Sequence, residues 1–183
     1  MRITGGEARG KLIRIQKGSA VRPTADRVRE SFFSIISVIA GKSFLDIFAG
    51  SGIVGLEALS RGAANAVFVE KDRKMAGELK RTIEKMGFSS RARVIADPAF
   101  QALNILLSGG EKFDIIFADP PYNKGMAGGL LDFATPEGLM EEDAVFVIQH
   151  STKEALRESG AVLLTDQRKY GDTLLSFFHR RGS

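Results

Sequence analysis

The chain has 183 residues, 44% of them hydrophobic and 26% charged, a length that suits one domain with a substantial core. It has no cysteine and two distant histidines, His150 and His179, which excludes thiol catalysis, disulfides and thiolate zinc sites and leaves no metal motif. The net charge is +4, yet residues 1–30 alone carry eight Lys and Arg against three Asp and Glu, so the rest stands at −1.

Residues 1–22 are a basic arm. They alternate weakly around Gly5-Gly6 and Gly10, which predicts a small β-hairpin protruding from the body. A basic element ahead of a near-neutral domain points to nucleic acid, although a solvated basic surface reads the same way from charge alone. No apolar run is long enough to span a membrane and the N-terminus lacks the apolar core of a signal peptide, so a soluble cytoplasmic protein is expected. Pro23-Thr24 then opens a helix, with Thr24 as N-cap and Asp26 in the first turn. Its stripe is Val28, Phe32, Ile35, Ile36 and Ile39, Gly41 stops it, and Arg22, Arg27 and Arg29 lie off the stripe.

Phe44, Leu45, Ile47 and Phe48 read as a strand buried on both faces and interrupted by Asp46. Gly50, Gly52 and Gly55 follow as G-x-G-x-x-G and lead into an apolar helix. The first two glycines permit a tight turn and close backbone approach to a ligand, and the third lets helix pack on strand. Glu70 ends the next strand, at the spacing of an acid that holds ribose hydroxyls. A nucleoside cofactor is the inference; a glycine turn without ligand is the bland alternative.

A helix from Asp72 to Gly87 carries Met75, Leu79, Ile83 and Met86 on one face. Arg93–Ala96 is a third strand, and Asp97 either caps the helix that Pro98 begins or accepts a ligand's amino group. Phe113–Ala118 is a fourth strand running into Asp119-Pro120-Pro121-Tyr122. Residues 124–134 read as helix or loop, Ala144–Ile148 as a fifth strand and Lys153–Ser159 as a short helix. Val162–Leu164 and Leu174–Phe178 close the chain as an antiparallel pair. The alternation predicts an α/β, doubly wound sheet in one domain, 1–183, with the hairpin arm as an extension.

Asp46, Glu70, Asp97 and Asp119 all fall at strand ends, where ligands bind in such folds. So many acids suit ribose, amino groups and a cationic centre better than a pyrophosphate. Two prolines after Asp119 stiffen the backbone, so that Pro120 can present a fixed carbonyl beside the carboxylate, and Tyr122 offers a face for stacking a base. Two acceptors held together match an NH2 group. His150, at the end of the fifth strand, reads as structural and Arg180-Arg181 as a solvated tail.

Asp46-x-Phe48-x-Gly50-x-Gly52, Glu70, Asp97 and Asp119-Pro-Pro-Tyr122 together resemble class I S-adenosylmethionine-dependent amino-methyltransferases. More closely, Arg22-Pro-Thr24, Arg29-Glu-Ser-Phe-Phe33, Gly55-Leu-Glu-Ala-Leu-Ser-Arg-Gly62 and Tyr170-Gly-Asp-Thr173 resemble the RsmD family of 16S rRNA guanine-N2 methyltransferases. Asp97-Pro98 departs from the family, which usually has a small residue after the Asp. The resemblance implies a Rossmann-like seven-stranded sheet with an antiparallel last strand. It implies S-adenosyl-L-methionine across Asp46, Phe48, Gly50 and Gly52, its ribose on Glu70, its adenine near Asp97 and its methyl group near Asp119. The partner would be 16S rRNA or the small ribosomal subunit particle, without metal. Asp119 and the Pro120 carbonyl would accept the hydrogens of the guanine amine, with Pro121 stiffening the turn and Tyr122 holding the extruded base. Arg9, Lys11, Arg14, Arg22, Thr24 and Arg29 are the expected RNA contacts. Rival readings are a DNA adenine-N6 methyltransferase, a protein glutamine-N5 methyltransferase, a dehydrogenase, and a non-catalytic RNA-binding module with a vestigial pocket.

Overall fold

The computed structural model describes residues 1–13, 23–121, 125–135, 137–156 and 160–181. In chain order these form α1 (Pro23–Ile35), β1 (Ser43–Ile47), α2 (Ile53–Ser60), β2 (Asn65–Val69), α3 (Arg73–Met86) and β3 (Ala92–Ile95). There follow α4 (Ala99–Ser108), β4 (Phe113–Ala118), α5 (Met126–Leu130) with a 3-10 turn, β5 (Met140–Ser151), β6 (Val162–Tyr170) and β7 (Thr173–Arg180). The strands make one seven-stranded sheet in the order β3-β2-β1-β4-β5-β7-β6. β1 to β5 are parallel, and β7 runs antiparallel to both β5 and β6. The strand order reverses between β1 and β4, which is where an open α/β sheet leaves a crevice.

The pleat sorts the core into two layers. Phe44 of β1, Phe68 of β2, Phe117 of β4 and Val147 of β5 face Phe32 of α1, Leu56 of α2 and Leu79 of α3. Their neighbours Leu45, Val67, Ile116 and Phe146 face Leu103 and Leu106 of α4 and Leu130 of α5. Successive strand residues therefore serve opposite helices, which is why these strands read as continuous apolar runs.

Several boundaries differ from the sequence reading. α1 starts at Pro23, which places Thr24 inside the helix rather than at its cap, and it ends at Ile35 rather than running to Gly41. The β-branched run Ile35, Ile36, Val38 and Ile39 loses side-chain freedom in a helix, and only Ile39 of the last three is buried. Phe48 is not a strand residue. It sits in the turn after β1 with a φ of 63°, a left-handed conformation unusual for a bulky side chain. Lys153–Leu156 form a turn instead of a helix, because the Glu154 carbonyl is taken by the His150 ring and the Thr152 N–H by Asp172.

The described part of the arm, residues 1–13, does not protrude. Its two limbs meet at a single antiparallel bridge between Arg2 and Leu12, and Ile3, Ala8 and Ile13 are buried in the α1–α2 layer. Its turn docks on the C-terminal end of α2, where Glu7 N–H donates to the Ser60 carbonyl (2.8 Å) and Ala8 N–H to Ser60 Oγ (2.9 Å). Gly6 has φ 76°, and a Cβ there would lie 1.7 Å from the Ser60 oxygen, so only glycine permits this seat. Arg14, Lys17 and Arg22 lie outside the described residues.

Gly55 is the closest point of α2 to the sheet: a Cβ would stand 2.4 Å from Cε1 of the fully buried Phe68 ring. Gly55→Ala is therefore expected to lower unfolding stability by about 1–3 kcal/mol through overpacking, measured by urea denaturation. Wild-type stability in that variant would show that Phe68 has room to move.

Candidate active site

The site is assembled at the carboxyl ends of β1, β2 and β4. After Ile47 the chain turns through Phe48, Gly50 (φ 56°) and Gly52 (φ 73°) before α2 begins. At Gly52 a Cβ would meet Leu79 Cδ1 at 2.3 Å, so α3 closes on the turn from the side. At Gly50 the nearest atom is Met75 Cε at 3.6 Å, which leaves the backbone open to a ligand.

Glu70 ties this turn to α3. Its Oε2 accepts the Gly50 N–H at 2.8 Å and its Oε1 the Asp72 N–H at 2.8 Å, while Asp72 caps α3 through Lys74 and Met75 N–H groups. Each carboxylate oxygen has a further lone pair, so Glu70 can hold the loop and still accept from a ligand.

Asp46 lies beneath the turn, 2% exposed, and accepts the Gly55 N–H at 3.0 Å. Burial raises its pKa to about 7; the Gly55 hydrogen bond opposes the rise, and the charges of Asp119 and Glu70 add to it. Asp46 is thus covered by the turn and braces it from below.

Asp119 follows β4, its N–H donating to the Ile47 carbonyl at 3.3 Å. The surrounding protein raises its carboxyl to about 7, yet the residue as a whole is exposed. Water reaching that open side opposes the rise. Pro120 is buried and Pro121 exposed; Tyr122 lies outside the described residues. Asp97 does not cap α4, which begins at Ala99 with no side-chain cap bond. The residue is half-exposed, and among the described residues no hydrogen bond engages its carboxylate.

Among the predicted RNA contacts, Arg9 and Lys11 are exposed. Arg29 is not: it is 5% exposed, with Nε on Glu57 Oε2 (3.0 Å), Nη1 on Asp26 (2.6 Å) and Nη2 on the Arg2 carbonyl (3.2 Å). Glu57, fully buried, also accepts from Arg61 Nη2 at 2.7 Å and from the Thr4 hydroxyl. A buried carboxylate of this kind needs such partners, so Arg29 is a brace between arm, α1 and α2 and not a phosphate contact. The side chain of Thr24 lies outside the described residues. His150 is structural: its Nδ1 faces two carbonyls and so carries the proton, and its Nε2 accepts from Ser176 Oγ at 2.8 Å.

One feature escaped the sequence reading. A cavity of about 80 Å3 lies beside Asp119, walled by Phe32, Ile53, Val54 and Phe117, with Arg29 and Gln149 as further polar lining. The signal available was Gln149, the polar residue that directly follows the apolar run Ala144–Ile148.

The reversal between β1 and β4, the glycine turn before α2 and the antiparallel β7 define the class: an α/β fold of the methyltransferase type. The family model described as conserved hypothetical protein 95 matches residues 1–179. The Bacillus subtilis protein YlbH is 34% identical over 184 residues, covering all of both chains. Ribosomal RNA small subunit methyltransferase D of Escherichia coli is 34% identical over 157 residues, 85% of this chain and 77% of that protein. The solved Escherichia coli structure of YhhF superposes with a TM-score of 0.86 at 30% identity, covering 100% of this chain and 99% of that one. A Thermus thermophilus structure gives 0.82 at 34%, covering 98% and 99%. The chain belongs to this family, the RsmD family.

A carboxyl whose pKa rises on folding contributes stability that is complete below its ordinary value of 3.8 and is lost as pH rises through about 7. Asp46→Asn keeps an acceptor for Gly55 and abolishes that titration. The melting temperature of the variant relative to wild type is expected to rise between about pH 5 and about pH 8, read by thermal scans. A pH-independent difference would mean that Asp46 does not titrate in this range.

Proposed function

We propose that the protein transfers the methyl group of S-adenosylmethionine to the exocyclic N2 amine of a guanine in 16S rRNA. The observation that carries the reading is the placing of Glu70 and Asp119 at the carboxyl ends of neighbouring strands, on either side of the glycine turn that Asp46 braces from below. Crowded carboxylates favour a cation among them. Membership of the family, one relative of which is named ribosomal RNA small subunit methyltransferase D, supports the acceptor.

The residues present fit the cofactor. Gly50 leaves space where a Cβ would stand, Glu70 retains lone pairs for ribose hydroxyls, and the Asp97 carboxylate suits an adenine amino group. S-Adenosylmethionine supplies a methyl group activated by a cationic sulfur.

The chain's own task is to make a poor nucleophile competent. The lone pair of a guanine amine is delocalised into the ring. The Asp119 carboxylate and the Pro120 carbonyl accept its two hydrogens, which favours a pyramidal nitrogen with its lone pair free to attack. The raised Asp119 makes its ionised form, the better acceptor, more abundant as pH increases. Extruding the base exposes its amine to this pair, and fixed positioning provides much of the acceleration.

Tritiated-methyl transfer to 16S rRNA and to small-subunit particles, followed by nucleoside analysis, tests the reading. N2-methylguanosine is the expected product; methylated adenine or no transfer would overturn it. Asp119→Ala is expected to bind S-adenosylmethionine with nearly wild-type affinity while its single-turnover rate falls by roughly two orders of magnitude or more. A loss below about tenfold would remove Asp119 from the chemistry.

Arg9 and Lys11 of the docked arm provide exposed charge for phosphates. Arg9 sits in the turn at the far end of α2, about 12 Å of helix from the glycine turn, so the RNA would reach along that helix. Arg9→Ala with Lys11→Ala is expected to reduce the log–log salt slope of RNA binding by roughly one to two units and to spare cofactor affinity. Parallel slopes for variant and wild type would take the arm out of the footprint.

A further inference from the structure

The near-neutral body contains a second basic element. Residues 71–86 carry six Lys and Arg against three Asp and Glu, a net +3, and Asp72 is engaged as the cap of α3. Lys71, Arg73, Lys74, Lys80, Arg81 and Lys85 are all exposed, and among the described residues no ion pair engages them. At about 100° per residue, Lys74, Arg81 and Lys85 fall within about 40° of one another around the helix, opposite the buried Ala76, Leu79 and Ile83. Glu78, on the same line, is half-buried. Arg81 and Lys85 stand one turn apart, a like-charge pair that weakens an isolated helix.

α3 sets this line between two parts of the site. Its N-terminal end follows Glu70, whose carboxylate holds Gly50, and β2 lies two strands, about 10 Å, from β4 and Asp119. Its C-terminal end adjoins the arm: Arg91, just before β3, pairs with Glu7 of the arm turn and donates to the Ala63 carbonyl. The exposed Arg9 is two residues from Glu7. Arm, α2 and α3 pack in one layer through Ala8, Leu56, Leu79 and Ile83, so their outer surfaces look out from the same side of the sheet.

Resting on the rRNA reading above, we propose that the outward face of α3 is a phosphate track that leads RNA from the arm to the crevice. Lys74 to Lys85 spans about 16 Å of helix, which bridges the stretch between Arg9 and the catalytic edge. Cations on a rigid helix meet a polyanion without regard to sequence and fix how the strand lies, while the choice of base stays with the crevice. Phosphates seated on the track also relieve the repulsion between Arg81 and Lys85.

Binding of 16S rRNA across a salt series tests the track. Lys74→Ala, Arg81→Ala and Lys85→Ala together are expected to reduce the log–log salt slope by roughly two to three units. KM for rRNA is expected to rise by about tenfold or more with kcat unchanged. Alanine favours the helix, so the fold is retained, and calorimetric affinity for S-adenosylmethionine at the wild-type level reports it. Lys74→Arg, Arg81→Lys and Lys85→Arg together conserve the charge and are expected to keep the wild-type slope. A slope unchanged in the alanine set, or reduced equally in both sets, overturns the track. Absence of N2-methylguanosine from the wild-type reaction overturns the function itself, and the two failures are distinct.

Discussion

The architecture of the site depends on one backbone hydrogen bond, from Gly55 N–H to the buried carboxylate of Asp46. It pins the first turn of α2 to β1, and the missing Cβ of Gly55 lets the helix descend onto Phe68. Everything at the crevice inherits its position from that contact. The turn between them has to pass through left-handed glycines, Glu70 can then reach the Gly50 N–H, and Ile53 and Val54 are set down as a wall of the cavity. The cost of keeping a carboxylate under a helix appears in its raised pKa. Asp46 therefore serves the chemistry from behind, by holding the surfaces that face the ligand.

A second constraint secures the same helix at its other end. Glu57 is fully buried and shared by Arg29, Arg61 and Thr4, which belong to three different elements. Removing either arginine takes a charged hydrogen bond from a buried carboxylate, and removing the Thr4 hydroxyl takes a neutral one, so the group is held as a unit. The arm is locked to the helix that carries the cofactor turn, and Arg29, which also lines the cavity, belongs to both neighbourhoods. The arm and the α2 end of the crevice are in this way referred to one rigid frame.

Much of the fold was legible because the parallel strands are covered on both faces and read as apolar runs: Phe44–Ile47, Ala66–Val69 and Phe113–Ala118 were visible as such. Glu70, Asp119 and the glycine turn were equally plain, since their spacing is local. What could not be read depends on long-range contact. Arg29 looks like a surface cation until Glu57, 28 residues away, is placed beside it. The arm looks free until Gly6 is seated on Ser60, and Lys153–Leu156 look helical until the His150 ring claims the Glu154 carbonyl.

The order of the sheet bears on how the chain is made. Among the described strands β6 pairs with β7 alone, and β7, which follows both β5 and β6 in the chain, is wedged between them. Until it arrives, the outer edge of β5 is an unpaired row of amides flanked by the apolar run Ala144–Ile148, the kind of edge on which chains stick to one another. The nascent chain carries that adhesive edge from residue 151 until β7 has been made. This eight-residue strand acts as a zipper pull, closing two seams at once and burying the edge in a single step.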